Sequence, residues 1–241
     1  RRITGRSSKA TKPKSKIILP AKVAPAKSVS DEGMMLRLNP DNVITEEENK
    51  ISQWPDHSGE RNSAFQNAAE QQPLQVEIEG RIAAAFEGDR HLVIKHNPDI
   101  SYKAGDSYTA SAWVYLARSK GSGWRGIITK SRDISPWYGL WIDGGGRWVF
   151  GGNGENLTGG TATSGWHHVC GVQEGRIGRR IYVDGILKNQ GKIMNANGSG
   201  DIWIGGAKSV KEFLRGAVGE IRIYKCALTH PEVAFLASYK K

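Results

Sequence analysis

The sequence predicts an all-β fold: an antiparallel sandwich closed by a short C-terminal helix and preceded by an extended basic N-terminal arm. Three observations predict it. Apolar residues alternate with period two in one segment after another, Gly-rich turns separate those segments, and the first 30 residues hold a run of uncompensated cations. The chain has 241 residues, with 30 Gly and 8 Trp. That is enough to bury a full core, in a composition suited to short strands and tight turns. No stretch approaches the ~18 uninterrupted apolar residues of a membrane-crossing helix.

The arm comes first, RRITGRSSKATKPKSKIILPAKVAPAKSVS. Nine of the 34 Lys and Arg residues and none of the 24 Asp and Glu fall within it, so the net charge of +10 belongs to the arm and the remainder is close to neutral. Its apolar content is too low to offset its ordering entropy, and its spaced prolines favour extended backbone. Two readings stay open. Residues 1–33 are a plain linker, or they are a docking strap in which Arg1, Arg2, Arg6, Lys9, Lys12, Lys14 and Lys16 order on a partner. An acidic protein, a subunit of a larger complex, a polyanionic glycan or an anionic membrane surface would serve. The chain begins with Arg1 rather than Met, and a signal peptide or anchor helix upstream is one expectation that follows.

From residue 34 onward the pattern is β. YTASAWVYL (108–116) sets Ala110, Ala112, Val114 and Leu116 on one face and Thr109, Ser111, Trp113 and Tyr115 on the other, the alternation of a half-buried strand. GIITKS, YGLWID, RWVFGG, HHVCGV, RRIYVDG, DIWIGG and GEIRIYK follow. Asp143-Gly144 and Asp184-Gly185 each sit between two such runs, as two-residue hairpin turns with both positions at positive φ would require. Thr229-His230-Pro231-Glu232 reads as a capping box that opens a helix.

GWHHVCGV (165–172) places His167, His168 and Cys170 close together. On a strand only His168 and Cys170 share a face, two ligands at most, and a closed zinc site needs four. The stretch is read as architecture, with no metal site.

The same stretch, followed by RRIYVDG, resembles the paired strands W-H-H-V-A and Y-V-D-G of laminin G-like, concanavalin A-like jelly-roll domains. FLRGAVGEIRIYKCALTHPEV resembles that family's closing signature. WPDHSGERNSAFQ (54–66), Pro73 and AAFEGDRHLVI (84–94) resemble its opening half. The likeness spans about residues 34–241, which is taken as one domain, and implies a concanavalin A-like jelly roll working outside the cytoplasm: periplasmic, cell-surface or secreted. It departs from the family at Gly219, where the signature carries Asp. That leaves a structural calcium in doubt, and no cofactor is expected. Cys170 and Cys226 are read as two separate thiols, their bridging left open.

The resemblance covers lectins, glycoside hydrolases and polysaccharide lyases, so function has to come from a site. Glu77 and Glu79 in QVEIEGRI, at alternate positions, are read as sharing a strand face. The third acid of the laminarinase-like E-x-D-x-x-E pattern is missing at Ile82, and the pair is read as the solvent face of an edge strand. No catalytic residue is assigned and an enzyme is not expected. Sugar binding needs aromatic faces with polar groups beside them. Trp124, Arg125, Trp137, Tyr138 and Trp148 are the ligand-binding candidates, with Lys130 and Arg132 as further cations and Trp141 as sheet packing. A basic arm without interleaved aromatics lacks the elements of a specific nucleic-acid binder. Asn156-Leu-Thr158 and Asn197-Gly-Ser199 fit glycosylation acceptors. The function read from the sequence is a non-catalytic module recognising a glycan or protein surface through rim loops. The alternative is a structural or accessory subunit held by its arm; a polysaccharide-active enzyme is the third choice.

Overall fold

A computed structural model describes residues 24–118, 121, 123–132, 134, 136–152, 155–193 and 198–239. The seven arm cations and Asn197 lie outside the described residues. Along the chain run β1 (Met34–Leu38), β2 (Ile44–Thr45), β3 (Ile51–Trp54), β4 (Ala64–Phe65), β5 (Leu74–Ile78), β6 (Arg81–Phe86), β7 (Leu92–Ile94), β8 (Tyr108–Leu116) and β9 (Arg125–Lys130). Then come β10 (Tyr138–Ile142), β11 (Arg147–Gly152), β12 (Glu155–Thr161), β13 (Gly165–Glu174), β14 (Gly178–Val183), β15 (Ile186–Gly191), β16 (Ile202–Ile204), β17 (Gly216–Tyr224) and helix α1 (His230–Ser238).

The strands form two antiparallel sheets. The first is ordered β15-β14-β13-β8-β17-β6-β5, with β1 also on β17; the second is ordered β12-β11-β10-β9-β16-β7-β4-β3-β2. The fold is the jelly-roll sandwich expected from the sequence. Ala110, Ala112, Val114 and Leu116 face the core between the sheets, opposite Leu140, Ile142, Phe150 and Ile204 of the second sheet. Gly171 is required here, because a Cβ would collide with the Phe150 ring that crosses the core.

The other face of the first sheet is covered as well. Helix α1 lays Val233 and Leu236 over Cys170, Val172 and Tyr182. Its capping box forms as expected, with Thr229 N–H donating to the Glu232 carboxylate at 2.7 Å. This cover explains why Thr109 is fully buried on what looked like a half-exposed strand. Its hydroxyl donates to Cys226 O at 2.9 Å and accepts from Leu228 N–H at 3.0 Å. The root of the arm rests on the same helix, with Ala26 N–H donating to Pro231 O at 2.8 Å.

The two Asp-Gly turns part company. Asp184 (φ 54) and Gly185 (φ 73) join β14 to β15 as a tight two-residue hairpin. Asp143-Gly144 does not: residues 143–146 form a longer loop, and Gly146 carries the positive φ of 73. The Asp143 carboxylate accepts from Gly145 N–H and Arg147 N–H, both at 2.9 Å, and that favours the larger turn.

Candidate functional site

β8 leaves the first sheet at Leu116 and β9 enters the second at Arg125. Ala117, Arg118, Gly121, Gly123 and Trp124 meet residues 87–88 and 210–215 at that end of the sandwich, around a cavity of about 810 Å³. That size lies within the range of small-ligand sites. Ile78, Tyr115 and Ala217 of the first sheet, with Trp124 and Phe213, form apolar wall. Arg118, Arg125, Lys211 and Arg215 supply cations, against Glu87 and Glu212.

A bulge aims Arg125 into this end. β9 pairs with β10 as Ile128 opposite Leu140, then Gly126 opposite Trp141 and Arg125 opposite Ile142, with Ile127 as the extra residue. Residues directly opposite share a face. Ile142 belongs to the core between the sheets, so Arg125 projects to the same inner side. It is only 4 % exposed, and its Nε and Nη2 have no hydrogen-bond partner among the described residues. Burial pushes its pKa down, yet a guanidinium keeps its charge at neutral pH. The nearby acid Asp143 is held by Arg147, whose Nε donates to it at 2.8 Å.

A second cluster lies on the outer face of the second sheet. Arg132 donates to both oxygens of Glu212, at 2.7 and 3.0 Å, and Trp141 Nε1 donates to the same carboxylate at 3.0 Å. The Arg132 guanidinium lies 4.5 Å from the Trp137 ring centre, and Trp137 meets Trp141 edge-on at 5.2 Å. Glu212 also lines the end cavity, so it links the two groups. On the outer face of the first sheet, Arg81 stacks over Trp113 at 4.2 Å and over Trp166 at 5.3 Å, beside a smaller cavity of about 270 Å³.

These placements revise the set of residues singled out from the sequence. Trp124 and Arg125 come together at the end cavity. Trp137 lies half-buried on the Arg132 cluster instead. Tyr138 and Trp148 are each 1 % exposed within the core, so neither offers a ring to a ligand. The Tyr138 hydroxyl donates to Ile100 O at 2.8 Å; Trp148 packs near the His167 ring. Both lie on β10 and β11 at positions facing the first sheet, where size favours burial. Lys130 is buried too, its Nζ donating to Gly200 O at 2.6 Å and facing His96 Nδ1 at 3.0 Å. Burial lowers its pKa to about 8. Trp141 is sheet packing, as read from the sequence. The sequence reading missed Glu212, Arg118, Lys211 and Arg215, which lie far from the aromatic segment and join it only through topology.

Glu77 and Glu79 do not share a strand face. Glu77 is exposed on edge strand β5, whereas Glu79 sits in the following turn at φ 54. His168 and Cys170 share the outer face under α1, and His167 turns inward. Its Nδ1 lies 2.8 Å from Asp184 Oδ2, a pairing that raises its pKa. His168 has its pKa lowered to about 3 by burial. Both cysteines are free thiols. The residues at the calcium-linked signature do not fit that ion. Glu220 is occupied by Arg37 at 2.9 Å and by Arg222 through both oxygens, and Gly219 makes room for Trp113, which a Cβ would approach to 3.0 Å.

A family profile described as the concanavalin A-like lectin/glucanases superfamily matches residues 86–234. The chain belongs to that superfamily. Among solved structures, this superfamily member is similar to the binding domain of Paraclostridial Mosquitocidal Protein 1, at 13 % identity and TM-score 0.64, over 86 % of this chain and 52 % of the other. It is also similar to domain 4 of AbnA, a GH43 extracellular arabinanase from Geobacillus stearothermophilus, in complex with arabinotriose. There the identity is 18 % and the TM-score 0.60, over 85 % and 98 % of the two chains. A Trypanosoma rangeli sialidase in complex with 2,3-difluorosialic acid matches at 16 % identity and TM-score 0.61, over 86 % of this chain and 33 % of the enzyme. The chain thus spans about half of the mosquitocidal binding domain and a third of the sialidase. Comparison with curated protein sequences gives no match.

Proposed function

We propose that this domain is a non-catalytic, extracytoplasmic binding module that recognises glycans through the cavity at the β8–β9 end. The observation carrying the proposal is the joining of Trp124, 38 % exposed, with the buried guanidinium of Arg125 at one cavity at this end of the sandwich. An aromatic face beside polar donors suits the apolar side of a sugar ring and its substituents. The acids of this cavity favour binding over hydrolysis. Glycoside cleavage needs one carboxyl group free as an acid and a second free as nucleophile or base. Of Glu87 and Glu212, the latter is held by Arg132 and Trp141. Superfamily membership supports the same reading, as does the likeness to a toxin binding domain and to an arabinanase domain in complex with arabinotriose. The test is a printed glycan array read with wild type and Trp124→Ala. Retention of a glycan class that falls about tenfold or more in the variant supports the proposal; no retention by wild type removes it.

The arm offers a second reading, as a strap that holds an accessory subunit to a partner. Its support is the anchored root, Ala26 on Pro231, with the cations upstream. Deleting residues 1–23 should then abolish co-purification with native partners, and co-purification unchanged by the deletion removes the reading.

A further inference from the structure

We infer that the end cavity selects acidic saccharides, pairing the carboxylate or sulfate of one sugar unit with the Arg125 guanidinium while a ring lies on Trp124. The inference rests on the glycan-binding reading above and adds the charge of the ligand.

A buried charge persists in a fold when something pairs it. Arg125 is inside, charged, and unpaired at Nε and Nη2 among the described residues. It has no route out through deprotonation. The acids that could have paired it are engaged elsewhere, Asp143 by Arg147 and by backbone N–H groups, Glu212 by Arg132 and Trp141. The other cations around the cavity, Arg118, Lys211 and Arg215, are exposed. With Glu212 engaged, four cations face the single acid Glu87, and the cavity presents a net positive field to an entering ligand. A guanidinium offers the parallel donors that a carboxylate or sulfate accepts. Gly121 packs directly on the guanidinium, since a Cβ there would stand 2.9 Å from Nη1 and 3.0 Å from Cζ. A saccharide is favoured over an acidic peptide by the flat exposed face of Trp124 and the apolar wall of Tyr115 and Phe213.

The test uses the full chain on arrays of neutral, uronic-acid, sialylated and sulfated oligosaccharides, with polyaspartate as a protein-like control. The best ligand is then titrated against wild type, Arg125→Met and Arg125→Lys. Support requires acidic glycans held above neutral ones, with affinity falling about tenfold or more in Arg125→Met and partly kept in Arg125→Lys. Thermal unfolding of Arg125→Met at or above the wild-type midpoint would show that the fold is intact. Carboxylate and sulfate arms then identify which acidic group is preferred. Acidic binding that survives Arg125→Met belongs to the arm, and it overturns the inference. A neutral glycan bound as well as an acidic one overturns the inference and leaves the module reading standing. Polyaspartate bound through Arg125 with no glycan retained overturns it in favour of a protein ligand. No glycan retained by wild type removes both.

Discussion

Strand β9 carries a buried cation at each end, Arg125 at its start and Lys130 at its close, 4 % and 1 % exposed. Lys130 is matched by its surroundings, which present the Gly200 carbonyl and the His96 ring. Arg125 meets nothing comparable. A third nitrogen base, His168, is also buried with Nδ1 unpartnered, but burial lowers its pKa to about 3 and it stays neutral. One group is paired, one has shed its charge, and one has done neither. The contrast separates a cation hydrogen-bonded within the sandwich from one whose Nε and Nη2 find no hydrogen-bond partner among the described residues.

The largest expected effect tests the wall between the regions. Glu212→Ala strips Arg132 and Trp141 of their shared acceptor and should cost about 3 kcal/mol of unfolding free energy, read by denaturant titration. A loss under about 0.5 kcal/mol would mean that Glu212 is free to serve the cavity and would weaken the contrast. Lys130→Met removes the charged 2.6 Å donor to the Gly200 carbonyl, leaving it the longer 3.3 Å bond from the Ser131 hydroxyl, and should cost about 2 kcal/mol.

His168 gives a pH-dependent comparison. Its folded pKa lies below its unfolded value near 6.5, so the unfolded chain takes up the proton first. The stability it contributes is present above about pH 6.5 and is lost as pH falls toward 3, at up to about 1.4 kcal/mol per pH unit. His167, raised by Asp184, acts with the opposite sign and loses its contribution as pH rises through its folded pKa. Unfolding midpoints between pH 6.5 and 5 should fall less in His168→Phe than in wild type. Equal slopes would remove His168 from the comparison.

Arg125→Met is the smallest change expected: stability within about 0.5 kcal/mol of wild type, or higher, because an unpaired charge is replaced by an apolar chain. A cost matching that of Lys130→Met would break the contrast and make Arg125 a structural cation.

The fold was legible because period-two alternation reports faces directly. Ala110, Ala112, Val114 and Leu116 face the core, and the Thr229–Glu232 cap opens the C-terminal helix. Faces became unreadable where the pleat is interrupted. The bulge at Ile127 turns Arg125 inward, and strict alternation would have sent it the other way. Tyr138 and Trp148 misled for a related reason: an aromatic in a turn-rich segment looks the same in sequence whether it ends in a rim or in the core. Asp143 and Asp184 show the same limit, since one Asp-Gly pair closes a hairpin and the other opens a wider loop under the pull of its own carboxylate. Glu212 and the cavity's other cations carry no local signature.

The docking of α1 has a chemical corollary. Gly185 lies so close to the helix that a Cβ would come within 3.0 Å of the Ala234 backbone, and Cys170 sits sealed beneath with its thiol pKa pushed far up by burial. Cys226, only half enclosed, is open to a thiol reagent by comparison. Two alkylation rates on a single chain would therefore clock how often the lid of this sandwich lifts, with the faster thiol as internal standard.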